Sequence, residues 1–426
     1  MATMSMRSLC LVPLFLVGAC VLSTHGTDTD NGQAGAGVAS GGSGAGTAAD
    51  GGSDAGAGVG VAGVGGGTGS AGGAGSGGGA LDGWWDPAFT RRVKISFDND
   101  GGEALPHFPV MIHLTPERID YDLSPDGADL RFVDADRQSV LDHEIEHWSP
   151  GGDSFVWVRV PEIAASDGDF IWLYHGHPGA ADAQQPAGVW TEGGHLGVYH
   201  LSTGPDQESQ FRDSAGSHHG APAGGQPGEQ QGVVATATTL SGTRHIDMGD
   251  DIPAFAASPG QRRTIEAWFR TSSSTEAQFV VYQESDCKGW GIAVLSSGAV
   301  QGRFSSGGIT GDACVNDNYD EYLVETDDDD YSDGAWHHVA LVVDRPGETL
   351  SVYVDGALRS DGGIDNTGVG TSVENKIGTD WDNDGAFQGS IDEVRISDGA
   401  RSPAWIDAQH RSMRDVFATY GQVEQL

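Results

Sequence analysis

Residues His143-Glu144-Ile145-Glu146-His147 spell H-E-x-x-H, the spacing with which zinc proteases hold their metal. That chemistry requires a helix, which rises about 6 Å over four residues and turns both imidazoles toward one ion. The surrounding pattern is different. Leu141, His143, Ile145 and His147 alternate with Val140, Asp142, Glu144 and Glu146, and a Gly-rich "SPGGDS" leads into the alternating "FVWVRVP". This predicts a β-hairpin. In a strand the two imidazoles share a face about 13 Å apart, too far to share a zinc whose bonds to nitrogen are near 2 Å. No H-x-x-G-x-x-H third ligand follows, so the motif is expected to be a strand without zinc.

"DWDNDGAFQGSID" offers a different chemistry. Asp380, Asp382 and Asp384 before Gly385 match the first half of a calcium loop, in which alternate carboxylates wrap a hard cation. Ile391 stands where an EF-hand has its bidentate Glu, and Asp392 follows it. The apolar phase slips between Ile391 and Val394/Ile396, so a β-bulge there would re-aim Asp392. Trp381 lies inside the loop, where an exposed indole can stack on a sugar. The competing reading is an acidic, solvated hairpin loop. The run "ETDDDDYSDG" (325–334) is read as solvated, and Asp213, His218 and His219 as turn residues.

Catalytic patterns are weak. A glycosidase needs paired carboxylates, and "ETDDDD" lacks the last acid of a strand-borne E-x-D-x-x-E. No nucleophile elbow, P-loop or dinucleotide fingerprint occurs in its strand–helix context. The chain is therefore not expected to be an enzyme, with a divergent glycoside hydrolase as the third-ranked alternative.

The elements that must position these residues are short strands. Val93-Ile95-Phe97, "FPVMIHL", "DLRFVD", "FVWVRVP" and "FIWLYHG" are separated by Gly, Pro and Asp turns and predict a β-sandwich over 82–190. "LGVYHLS" opens a second all-β unit, carried on by "TIEAWFRT", "HHVALVVD", "LSVYVDGAL" and "GSIDEVRIS" to "FATYG" and placed at 195–424. "SPAWIDAQHRSM" predicts one helix, capped by Ser402 with Pro403 first.

Composition narrows the partners. The 426 residues carry 61 acidic against 22 basic side chains, a formal charge of −39, so no nucleic acid partner is expected. Residues 1–19 combine one Arg with a short apolar run and read as a signal peptide. The segment to about residue 80 is almost all Gly, Ala, Ser and Thr, a flexible tether unable to build a core. Cys287 and Cys314 form an even pair in an exported domain, where a disulfide is the default.

Three of these stretches carry family resemblances. Val17-Gly18-Ala19-Cys20 resembles the bacterial lipobox, which implies lipidation of Cys20 and a membrane link through lipid only. "DGAWHHVALVVDRPGETLSVYVDGAL" followed by "FQGSIDEVRISDGARSPAWI" resembles the LamG-like, concanavalin A-type jelly rolls. That likeness implies a jelly roll that often holds a structural calcium, with the acid of I-D-E-V-R-I (Asp392) as a candidate ligand. "GADLRFVDAD", "VLDHEIEHW", "VWVRVP" and "IWLYHGHPGA" resemble the domain of unknown function that precedes such jelly rolls in bacterial surface proteins, with "LYHGH" replacing the usual "YYGN". Together these give a lipid-anchored protein at the cell envelope that binds carbohydrate or glycoprotein without catalysis, helped by calcium. The alternative is a structural or adhesive component without a sugar site.

Overall fold

The computed structural model describes residues 83–202, 210–250, 252–285, 288–307, 319–327, 330–367, 374–380 and 383–426. Cys20, Cys287, Cys314, Trp381 and Asp382 lie outside the described residues. Among the described residues no helix is long and apolar enough to cross a membrane.

The regular structure of the described chain is almost all strand and builds two sandwiches. In the first, Arg91–Phe97 shows how alternation sets the faces: Val93, Ile95 and Phe97 are buried, while Arg92, Lys94 and Ser96 are half-buried. This strand pairs with Phe170–His175, which pairs in turn with Arg131–Asp134. The facing sheet joins Leu105–Leu114, Ser154–Ile163 and His143–His147. Phe108, Val110, Phe132, Val156, Val158 and Leu173 fill the space between the two sheets.

The three-stranded sheet is buried on both faces. Its second face, with Met111 and Trp157, packs with Trp190, Val198, Val234 and Trp268 of the chain that follows. Among the described residues the second sandwich is a jelly roll of an eight-stranded and a seven-stranded sheet. Ile265, Phe269, Val339, Leu341, Val352, Ile391, Val394 and Ile396 from the larger sheet meet Val281, Trp290, Ile292 and Phe304 from the smaller. The Gly389–Asp398 strand sits centrally in the larger sheet, next to Arg262–Thr271.

The helix Pro403–Met413 forms as its sequence predicts. Ser402 accepts a hydrogen bond from the Trp405 amide and Pro403 opens the first turn. Its surroundings are less expected. Trp405 packs edge-on against Phe108 of the first sandwich at 4.8 Å, and Ile406 packs against Ala340, Val342 and Tyr353 of the jelly roll. The helix is a wedge between the sandwiches.

Beyond it the chain returns to the first sandwich, whereas the sequence reading kept it in the second unit to residue 424. Ala418–Tyr420 and Glu424–Gln425 pair antiparallel with Arg91–Phe97. Phe417 stacks on Phe97 with ring centres 6.0 Å apart. The physical reason is that alternation identifies a strand but not the distant edge it pairs with.

Candidate functional site

The predicted calcium turn closes on itself. Asp380 Oδ1 accepts the Gly385 amide at 3.1 Å, and the Gly385 carbonyl accepts the Phe279 amide at 2.9 Å. A side chain at Gly385 would come within 2.5 Å of the Phe279 ring, so the glycine is required by close packing. Beside this turn opens a polar cleft of about 470 Å³, lined among others by Thr243, Ser273, Glu276, Asn383, Asp384 and Gln388. Hydrogen bonds of Gln388 tie its lining together. The Gln388 side chain bonds the backbone of Gly242 in both directions, at 3.0 and 3.1 Å, and its backbone N–H donates to Gln278 Oε1 at 2.8 Å.

Of the four carboxylates expected to bind calcium, three are described, and Asp392 lies apart from the other two. Asp380 and Asp384 are in the turn. Asp392 is fully buried, its Oδ2 accepting the amides of Val233 and Val234 at 2.8 and 3.2 Å. The reason is the bulge that the phase slip predicts. Two residues of the Gly389–Asp398 strand oppose one of its neighbour between Glu266 and Trp268, and Glu393 takes φ 51°. Asp392 is thereby aimed into the gap between the sandwiches, away from the loop, so the described residues do not supply a four-carboxylate calcium set.

The H-E-x-x-H segment is a strand, His143–His147, paired with Ser154–Ile163 in the register His143–Val158, Glu144–Trp157 and Ile145–Val156. His143 faces the first core, its ring 5.4 Å from that of Phe132. Glu144 and Glu146 point the other way, toward the jelly roll, and there they join a buried charge cluster that sequence reasoning missed.

His200 is its centre. His200 Nδ1 lies 2.8 Å from Glu393 Oε1 and 3.4 Å from Glu146 Oε2, and its Nε2 lies 3.4 Å from Glu144 Oε2. Glu144 also accepts from Trp190 Nε1 at 2.6 Å and Ser214 Oγ at 2.7 Å. Glu146 Oε2 accepts from Trp157 Nε1 at 2.8 Å. The Arg395 guanidinium donates to Glu393 Oε2 at 2.5 Å and Gln409 Oε1 at 2.7 Å, and lies 4.2 Å from the Trp157 ring centre.

Electrostatics divides these acids into two kinds. Burial opposes charge on Glu393 and Glu144, yet His200, aided by Arg395 at Glu393, holds both below the ordinary carboxylate range. Burial and then Glu393 push Glu146 up to about 8, and burial with Glu393 and Glu146 holds Asp392 well above its ordinary value. Burial opposes a charged His200 as well, but Glu393, Glu146 and Glu144 outweigh it and raise the imidazole. Two signals in the sequence point here: acids at alternate positions of a strand whose other face is core, and the charged run Asp392, Glu393 and Arg395 set among Ile391, Val394 and Ile396.

Residues 240–407 match the model of the concanavalin A-like lectin/glucanases superfamily. They form a concanavalin A-like jelly roll. Residues 126–201 match a domain of unknown function, DUF2341, so the preceding segment agrees with its resemblance too. Glu144, Glu146, Trp157, Trp190 and His200 come from that match, and Glu393 and Arg395 from the jelly roll.

No curated protein matches the sequence. Among solved structures, domain 4 of the extracellular arabinanase AbnA from Geobacillus stearothermophilus, in complex with arabinotriose, is similar at 19% identity and TM-score 0.36, over 50% of this chain and 97% of that one. The binding domain of Paraclostridial Mosquitocidal Protein 1 is similar at 13% identity and TM-score 0.40, over 54% and 53% of the two chains. The botulinum neurotoxin serotype D binding domain is similar at 14% and TM-score 0.37. The present chain spans about half of each of these two toxin domains.

Proposed function

We propose that this chain is an exported, lipid-anchored, non-catalytic binding protein whose jelly roll takes carbohydrate at the cleft beside the Asp380–Gly385 turn. The cleft carries the reading. It is open and polar, with Thr243, Glu276, Asn383 and Asp384 exposed around a floor clamped by Gln278 and Gln388. Hydroxyl, amide and carboxylate groups brought together by the connecting loops suit the hydroxyls of a sugar. Trp381 is proposed to stack on the sugar ring, as its place in the sequence suggests. Calcium binds through Asp380, Asp382 and Asp384, while Asp392 is held by the Val233 and Val234 amides.

The non-catalytic reading has its own support. A glycosidase needs an accessible acid whose pKa is raised. Among the described residues, the two acids raised most, Glu146 and Asp392, have buried side chains between the sandwiches.

The test is a glycan array probed with the full chain. Binding to a defined glycan class, lost in Asp384→Ala and Asn383→Ala with unchanged melting temperature, is the expected result. Absence of binding to every glycan, with and without calcium, overturns it in favour of an adhesive or structural role.

A further inference from the structure

The buried cluster between the sandwiches has the geometry of a metal site. One ligand atom from each of Glu146, His200 and Glu393 lies within 4.8 Å of the others. The two measured edges, 2.8 and 3.4 Å from His200 Nδ1, match the spacing of adjacent donors around an ion with bonds of about 2.0–2.2 Å. Each donor has an outer partner in place: Glu144 on His200 Nε2, Trp157 on Glu146 Oε2, and Arg395 on Glu393 Oε2. A carboxylate on the far nitrogen of a histidine is the usual device for orienting a metal-bound imidazole.

Two further observations point to a cation. Glu146 Oε1 and Asp392 Oδ1 are buried without any hydrogen-bond partner. The interior also holds five carboxyls, Glu144, Glu146, Glu266, Asp392 and Glu393, against three cations, His200, Arg395 and Arg401. Two charges must be balanced, by two protons or by one divalent ion.

We propose that Glu146, His200 and Glu393 bind a divalent first-row transition ion of the zinc or manganese type, which locks the jelly roll to the preceding sandwich. One imidazole nitrogen among carboxylate oxygens suits such ions better than calcium, which prefers an all-oxygen shell. The site is separate from the proposed sugar cleft, so either can fail alone.

The test uses the full chain, unfolded with chelator and refolded in metal-free buffer or with Zn²⁺, Mn²⁺ or Co²⁺, followed by elemental analysis and thermal melting. One bound ion per chain, a higher melting temperature with the ion than with chelator, and at least a tenfold loss of affinity in His200→Gln and Glu393→Gln are expected. The Co²⁺ form should show d–d bands without a thiolate charge-transfer band, which excludes the cysteines and decides the matter on the wild type if the variants do not fold. Melting temperatures indifferent to all three ions, or stoichiometric metal retained in both variants, overturn the proposal and leave two protons as the balancing charges.

Discussion

The histidine that opens the H-E-x-x-H motif should make the protein sensitive to acid, and replacing it should remove that sensitivity. Burial first, and the Arg131 guanidinium second, push the pKa of His143 down to about 4, against weaker opposing effects of Asp182 and Asp142. Below pH 6.5 the unfolded chain takes up a proton that the fold excludes, so stability is lost as the pH falls from the unfolded value toward the folded one. With those two values the loss is about 2 kcal/mol at pH 5 and about 3 kcal/mol at pH 4. A typical domain has only about 5–15 kcal/mol in total. His143→Phe retains an aromatic ring against Phe132 and cannot titrate. Denaturant midpoints measured from pH 7.5 to 4.5 should show the variant gaining on the wild type by about 2 kcal/mol between pH 7.5 and pH 5. His175, also held at about 4, stays in both proteins and cancels in the difference. Parallel curves across that range would refute the assignment of His143 as a neutral core residue.

Trp405→Ala should cost about 3–5 kcal/mol, because it empties the wedge contact with Phe108, and circular dichroism should show both sandwiches melting at a lower temperature. Calcium at about 100 times its Kd should add roughly 2.7 kcal/mol if Asp380, Asp382 and Asp384 bind it, and a melting curve unchanged from micromolar to millimolar calcium would leave the turn merely solvated. Cys20→Ala should move the protein from the detergent to the aqueous phase of a phase partition, and wild type found in the aqueous phase with a free thiol contradicts lipidation. Non-reducing peptide maps should link Cys287 to Cys314, and alkylation of both without reductant would disprove the pairing.

Much of this protein is set by local pattern. Alternation of period two in "RRVKISF" and "FVWVRVP" is enough to make strands, because one face must leave water and the other need not. The same alternation reads His143–His147 as a strand and removes a zinc helix from consideration. Ser402 and Pro403 specify where the helix begins, since the cap and the fixed φ act within one turn. The phase slip in "SIDEVRI" announces the bulge, since an extra residue is the only way Ile391 and Val394 can both reach the core. What tertiary structure alone decided are the pairings between distant segments. Nothing near Ala418–Tyr420 shows that its partner lies at Arg91–Phe97, and nothing near Asp392 shows that Val233 and Val234 hold its carboxylate. His200, Glu146 and Glu393 meet only when two sandwiches close on one another, so their charge balance is a property of the packed interior and of no segment taken alone.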